Sequence, residues 1–109
     1  MIPSRSEINQ LHAQLCSALS DPIRITILYA LAEQPLNVSQ LTEHLQAPQS
    51  TVSRHLGILR ASGLVTFMRL GRQVQYTLAD HRTIEALDTL REILRDRASR
   101  RANLLGSPQ

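Results

Sequence analysis

Apolar residues recur at helical spacing in five segments of this chain and alternate with polar residues in two others. The first segment carries an apolar stripe of residues three or four apart, namely Ile8, Leu11, Leu15 and Leu19. Ser4 or Ser6 is placed to cap this helix. Asp21 then caps a second helix, in which Pro22 takes the first position and loses no hydrogen bond. The pattern predicts two successive amphipathic helices, with the second ending near Gln34-Pro35.

Two shorter helices and a tight turn follow. We expect Val38 to be extended, Ser39 to cap a helix that carries Leu41 and Leu45, and residues 46–48 to form the turn. A second short helix runs from Gln49 to about Ala61, ends at Ser62-Gly63 and has three apolar residues at i, i+4 and i+7, namely Val52, Leu56 and Leu59. Two short helices joined by a tight turn are a helix-turn-helix.

The second half of the chain predicts a hairpin and a final helix. Residues 64–70 and 73–78 alternate polar with apolar residues around Gly71-Arg72, which predicts a β-hairpin with a basic tip. After Asp80, apolar positions at helical spacing mark the last helix, and the tail from Asn103 is expected to be loose. The order α-α-α-α-β-β-α predicts one mainly α domain with a β-hairpin (α+β), a winged helix-turn-helix, over residues 1–109 with its core at about 8–96.

Charge adds a functional clue to this fold. No Asp or Glu lies between Glu43 and Asp80, although that window carries six basic side chains, namely Arg54, Arg60, Arg69, Arg72, His44 and His55. Each Arg placed against a phosphate releases a counterion, and nothing nearby repels the polyanion. One Phe, two Tyr and no Trp offer few rings for stacking single-stranded bases, so double-stranded DNA is the favoured partner.

Three stretches of the chain resemble a known family. Residues 19–24 (LSDPIR), 50–65 (STVSRHLGILRASGLV) and 69–78 (RLGRQVQYTL) are similar to the second helix, recognition helix and wing of the ArsR/SmtB family of bacterial transcriptional regulators. The resemblance covers about residues 8–96. It implies a DNA-binding regulator, commonly a repressor, that forms a homodimer through its terminal helices.

Helical geometry indicates which residues of the recognition helix face DNA. With about 100° per residue and the three apolar residues inward, the outer side carries Ser50, Arg54, Gly57 and Ala61, flanked by Gln49 and Ser53. Together with the wing arginines, the predicted DNA-binding set is Gln49, Ser50, Thr51, Ser53, Arg54, His55, Arg60, Arg69 and Arg72. Two members have a second interpretation. His55 is also placed to be a partly buried histidine bonded to backbone, and Arg60 is either a phosphate clamp or a favourable charge at the helix end.

The terminal helices carry apolar stripes that so small a body cannot fully cover. We therefore predict a dimer interface that includes Ile8, Leu11, Leu15, Ile84, Leu87 and Leu94; the alternative is packing within the chain. A dimer of this kind predicts an inverted-repeat operator with half-sites about 10 bp apart, or a multiple of that spacing.

The family's metal ligands are absent at the matching positions. Asn37-Val38-Ser39 stands where relatives have Cys-x-Cys, and Arg82 and Ile93 stand where a second site has histidines, although Asp80 and Asp96 match acids of that site. We therefore predict neither metal nor cofactor and leave the effector unknown. Cys16 is either a small apolar residue or a redox-sensitive thiol.

Other classes of protein fit the sequence less well. No serine and histidine pair, phosphate-binding glycine loop or carboxylate pair is spaced for catalysis, which argues against an enzyme. No apolar run approaches the roughly 20 residues that span a bilayer, and no signal peptide is recognisable, so a cytoplasmic protein is expected. The remaining alternative is a winged-helix module that docks a partner protein without specific DNA binding.

Overall fold

The computed structural model describes residues 1–106 and contains five helices and one hairpin. The elements, in chain order, are α1 (Arg5–Gln10), a π-helical segment (Leu11–Cys16), α2 (Pro22–Glu33), α3 (Val38–Leu45), α4 (Gln49–Ala61), β1 (Val65–Leu70), β2 (Gln73–Leu78) and α5 (Arg82–Gly106). This order confirms the predicted winged helix-turn-helix.

Two of the predicted caps begin their helices. The Ser4 hydroxyl accepts a hydrogen bond from the Glu7 amide at 3.2 Å, and the Asp21 carboxylate accepts one from the Ile23 amide at 2.8 Å. The first helix nevertheless differs from the prediction, because it widens to π-helical turns after Gln10, where the Ser17 amide bonds to the His12 carbonyl at 2.9 Å. Over six residues, apolar spacing does not distinguish this wider turn from an α-helical one.

The cap of α3 is Asn37, so the prediction of Ser39 is wrong. The Asn37 side chain accepts a hydrogen bond from the Gln40 amide at 2.8 Å, and the Gln40 side chain accepts one from the Asn37 amide at 2.9 Å. This reciprocal capping box satisfies two free backbone donors at once, whereas Ser39 already lies inside the first turn. Gln46, at a φ of 50°, then ends α3 and opens the turn into α4.

The hairpin is antiparallel and joined to the helical body by backbone hydrogen bonds. Leu70 pairs with Gln73, which leaves Gly71-Arg72 as a two-residue turn, and Gly71 has the positive φ of 64° that this turn requires. On the other side of β2, the Tyr76 amide donates to the Leu36 carbonyl at 2.8 Å, and the Leu36 amide donates to the Tyr76 carbonyl at 3.1 Å. The segment before α3 thus holds the base of the wing.

The core is built from aliphatic side chains of α2, α3 and α4. Its most deeply buried members are Ile27, Leu28, Leu41, Val52, Leu56 and Leu59. All three apolar residues predicted to face inward from α4 belong to this set. Leu64, Val65 and Leu78 extend the core beneath the hairpin, and Leu87 adds the start of α5.

The two terminal helices project from this core. The radius of gyration is 17.3 Å, whereas a compact chain of this length has a value of about 13 Å. α5 continues as a helix to Gly106, although we expected a loose tail from Asn103, and positions 107–109 lie outside the described residues. Within residues 1–106, no helix is both long and apolar enough to cross a membrane.

Candidate nucleic-acid interface

Helix α4 separates its side chains into a buried apolar side and an exposed side that is polar apart from Ile58, which is 37% exposed. Gln49, Ser50, Ser53 and Arg54 are exposed, and Thr51 is half-buried. Gly57 and Ala61 continue the exposed side with almost no side-chain bulk, and a Cβ added at Gly57 would meet no atom within 4 Å. The predicted orientation of the helix is therefore the observed one, and its outer surface leaves room for another molecule to approach closely.

The arginines of the acid-free window have no acidic partner within residues 1–106. Within residues 1–106, the two ion pairs join Arg82 to Asp80 and Arg91 to Asp88, and both lie outside the acid-free window. Arg54 is exposed on α4, Arg69 is exposed on β1, and Arg72 occupies the hairpin turn. This part of the surface therefore carries positive charge that no carboxylate neutralises.

Arg60 connects the recognition helix to the wing. Its guanidinium carbon lies 4.1 Å from the centre of the Phe67 ring, and that ring lies 6.0 Å from the ring of Tyr76. A cation over an aromatic face is attracted by the ring quadrupole. Sequence reasoning missed this contact, because the spacing of seven residues crosses the boundary between α4 and β1. Arg60 remains exposed, so its free N–H groups face solvent.

His55 is a buried residue and does not belong to the exposed interface, which corrects its place among the predicted DNA contacts. The residue is 2% exposed, and its Nδ1 lies 3.0 Å from a terminal nitrogen of Arg24. Because arginine only donates hydrogen bonds, Nδ1 must accept, and the imidazole is neutral with its proton on Nε2. Burial lowers the pKa of His55, Asp21 opposes that shift, and the charges of Arg54 and Arg24 add to it. The predicted backbone partner is replaced by Arg24.

Three of the residues at the family metal positions, Asn37, Asp80 and Arg82, form hydrogen bonds within the chain. Asn37 and Gln40 form the capping box of α3. At the start of α5, Arg82 donates to both carboxylate oxygens of Asp80, at 2.7 and 3.1 Å, and lowers the pKa of that carboxyl to about 2. In the described part of the chain, no three His, Cys, Asp or Glu side chains group together as a metal site would require.

The residues predicted for a dimer interface divide into two groups. Ile8, Leu11, Leu15 and Leu94 are exposed, and Leu94 reaches 68%. Leu87 is 6% exposed and serves packing within the chain, which corrects the prediction for it, whereas Ile84 packs against the core but is only partly buried. Leu90 and Ile93 are exposed and continue the apolar stripe of α5 beyond Leu87. Their spacing from Leu87 in the sequence already indicated that they lie on the same side of the helix.

Cys16 is exposed at the end of the π-helical segment. It is not the buried apolar residue that is the more common form of a free cysteine. Within residues 1–106 it is the single cysteine, so any disulfide would have to join two chains.

Comparison with known proteins places this geometry in a family. Residues 21–66 match the family described as bacterial regulatory protein, arsR family. The transcriptional repressor SmtB of Mycobacterium tuberculosis is 46% identical over 79 residues, which are 72% of this chain and 58% of that repressor, so the chain spans less than two thirds of its length. These matches agree with the resemblance noted in the sequence.

Solved structures agree with both matches. The cadmium metal-sensor CmtR of M. tuberculosis is 46% identical, with a TM-score of 0.62 over 72% of this chain and 81% of that protein. Rv0081 of the same organism is 31% identical, with a TM-score of 0.78 over 87% and 96% of the two chains. The matched family and SmtB are described as a regulatory protein and a repressor rather than as enzymes, as the sequence predicted. The chain belongs to the ArsR/SmtB family of winged-helix transcriptional regulators.

Proposed function

We propose that this chain is a homodimeric repressor that binds an inverted-repeat operator in double-stranded DNA and does so without a metal effector. The observation that carries the proposal is the outer side of α4, which is exposed, polar, basic and free of acidic side chains. A module that docks proteins would need apolar groups at these positions. Relatives such as SmtB are named repressors, which supports the direction of regulation.

In this proposal α4 lies in the major groove. Arg54 is long enough to donate two hydrogen bonds to guanine, and Gln49, at the start of the helix, is suited to the edge of adenine. Gly57 and Ala61 let the helix approach the bases closely. Ser50, Thr51 and Ser53 supply hydroxyls for phosphates or bases.

The wing supplies contacts that do not depend on sequence. Arg72 lies in the hairpin turn and Arg69 on β1, at the exposed end of a hairpin that is held to the body at Leu36. From that position these arginines grip the phosphate backbone or enter the minor groove. Arg60, stacked on Phe67, fixes the wing relative to α4 and keeps donors free for a phosphate.

The dimer is supported by the exposed apolar residues of the terminal helices. Within the described chain, Ile8, Leu11 and Leu15 and the stripe of Leu90, Ile93 and Leu94 remain uncovered. A second copy buries both sets and places two α4 helices on the same face of the duplex, about one helical turn apart. Occupation of a promoter by this dimer excludes the transcription machinery.

The hydrogen bonds made by residues at the family metal positions support regulation without a metal. Asn37 and Gln40 satisfy the first turn of α3, and Asp80 is held by Arg82. Amide side chains and an arginine are poor ligands for the thiophilic and borderline ions that thiolate and imidazole sites bind. A different signal, which the residues described do not identify, would then release the DNA.

The test is a binding titration of the purified protein against the DNA upstream of its own gene, with a scrambled duplex as control. We expect specific binding that weakens by about a factor of 10³ between 50 and 200 mM salt and is unchanged by zinc, cadmium or arsenite. Release of the DNA by any of these ions would contradict the metal-independent part. Equal binding to operator and scrambled DNA, or none, would contradict the DNA part and favour a protein-docking module.

A further inference from the structure

A single arginine joins three elements behind the recognition helix. The Arg24 Nε donates to the Ala18 carbonyl at 2.7 Å, and one terminal nitrogen lies 3.4 Å from the Ser17 carbonyl. The other terminal nitrogen donates to Nδ1 of His55 at 3.0 Å. Arg24 belongs to α2, the two carbonyls lie at the end of the first helix, and His55 belongs to α4.

The Arg24 contacts to the Ala18 carbonyl and to His55 matter most, because the Ser17 carbonyl also accepts a hydrogen bond from the Ser20 hydroxyl at 2.7 Å. The last carbonyls of a helix have no N–H donor within it, and a cation there is favourable. Arg24 supplies that cation to the end of the π-helical segment. Ala18 is buried, so its carbonyl is kept from water and needs a donor from the protein. On its other side, Arg24 is compatible with His55 only while the imidazole is neutral, since a protonated Nδ1 has no lone pair for the guanidinium.

We infer that Arg24 is a positioning residue that fixes α4 relative to the first helix through neutral His55, so that protonation of His55 weakens operator binding. The inference rests on the proposed function, in which α4 reads DNA. Protonation would put two cations 3.0 Å apart in the interior, which forces Arg24 or His55 to move. Because His55 lies between Val52 and Leu59 on the buried side of α4, its movement shifts the outer side as well.

The surrounding charges set the direction of the pH effect. On α2, Arg24 disfavours the imidazolium and Asp21 at the cap favours it; Arg54 on α4 disfavours it; the first helix contributes the Ser17 and Ala18 carbonyls. Burial is the largest effect and lowers the pKa of His55 below its ordinary 6.5. The Arg24 contact is therefore intact at pH 6.5 and above, and it is lost only as the pH falls through the lowered pKa of His55.

Exposed histidines predict the opposite response. His44 lies in the acid-free window and is exposed, so its protonation adds positive charge and strengthens binding to a polyanion. Weakening on acidification is therefore a signature that surface charge does not produce.

The first measurement observes His55 without DNA. Nitrogen-15 NMR of the full chain at pH 7.5, with the signal assigned by its loss in His55→Gln, should show a neutral ring protonated on Nε2. On titration its midpoint should lie below 6.5. A proton on Nδ1 at pH 7.5, or a midpoint at or above 6.5, would overturn the inference.

The second measurement compares operator affinity at pH 7.5 and 5.5. His55→Gln keeps an acceptor for Arg24 but does not titrate, and His44→Gln removes an exposed histidine. Wild-type affinity should fall by at most about tenfold relative to His55→Gln. The limit is tenfold because pH 5.5 lies one unit below the ordinary histidine pKa of 6.5. The profile of His44→Gln should keep the fall. Parallel profiles for wild type and His55→Gln would overturn the inference.

A third comparison separates positioning from lost charge. Arg24→Gln and Arg82→Gln each remove one positive charge, but Arg82 is exposed and pairs only with Asp80. We expect Arg24→Gln to lose about tenfold or more in operator affinity at pH 7.5 and Arg82→Gln to lose less than twofold. Equal losses would contradict a positioning role. Absence of wild-type operator binding at pH 7.5 would contradict the proposed function, and the NMR measurement would then decide alone whether the contact exists as described.

Discussion

Helices α4 and α5 have apolar stripes of similar spacing, but they differ in what covers the stripe. In α4, 13 residues long, Val52, Leu56 and Leu59 are all buried by the same chain. In α5, 25 residues long, only the start packs on the core, while Leu90 and Leu94 are 60% and 68% exposed. Helical spacing therefore identifies the apolar side of a helix, whereas the identity of its covering partner depends on where the rest of the chain lies.

The largest expected effect of a single substitution lies in α4. Leu56→Ala leaves a cavity in a fully packed core and should lower the free energy of unfolding by about 2–5 kcal/mol. Leu94→Ala should change it by less than about 0.5 kcal/mol at low protein concentration, because the side chain is exposed in the single chain. Urea unfolding at two protein concentrations checks both values, and equal effects of the two substitutions would remove the distinction between the helices.

The next effect concerns the uncovered stripe itself. Leu94→Glu combined with Leu11→Glu places charges on both exposed apolar surfaces and should convert the proposed dimer to monomer in sedimentation velocity, with loss of cooperative operator binding. Met68→Glu is a matched control, because Met68 is 60% exposed on the wing. A double variant that remains dimeric would show that the dimer does not form through these residues.

Arginines on the two helices should also behave differently. Arg54→Ala should remove about 1–3 kcal/mol of discrimination between operator and scrambled DNA, and Arg95→Ala on α5 should leave it unchanged. Arg72→Ala should weaken binding to all DNA about equally and reduce the salt slope by about 0.9. Competition titrations measure these quantities. Full discrimination by Arg54→Ala would mean that the outer side of α4 does not read the bases.

The smallest effect is expected where α5 meets the body. The Tyr29 hydroxyl donates to Asp88 at 2.6 Å, and Tyr29→Phe should cost about 0.5–1.5 kcal/mol of stability in thermal unfolding. The Tyr29 hydroxyl, followed by Arg91, lowers the pKa of Asp88. The stability that the ionised Asp88 carboxylate contributes is present above its unfolded pKa of about 3.9. It is lost as the pH falls through the lowered pKa of Asp88 in the folded chain. Wild type and Tyr29→Phe should therefore converge in stability as the pH falls through the lowered pKa of Asp88.

The sequence was sufficient for the order of elements and for the orientation of α4, because both follow from local periodicity and from short-range signals such as Asp21-Pro22 and Ser62-Gly63. It was insufficient where two segments meet in space. The contact between Arg24 and His55 spans 31 residues, and the stacking of Arg60 on Phe67 depends on the angle of the wing. The burial of Leu87 likewise depends on how α5 leaves the hairpin, which no residue of α5 specifies.

The positions of the two tyrosines make the chain its own optical probe. With no Trp in the sequence, near-ultraviolet emission comes from Tyr29 and Tyr76 alone. The Tyr29 hydroxyl donates a hydrogen bond to the Asp88 carboxylate on α5, and Tyr76 lies beside Phe67 in the wing. Replacing either tyrosine by Phe leaves a fluorophore in one region only, so that changes at the terminal helix and changes at the wing are observed separately, without a dye attached to Cys16.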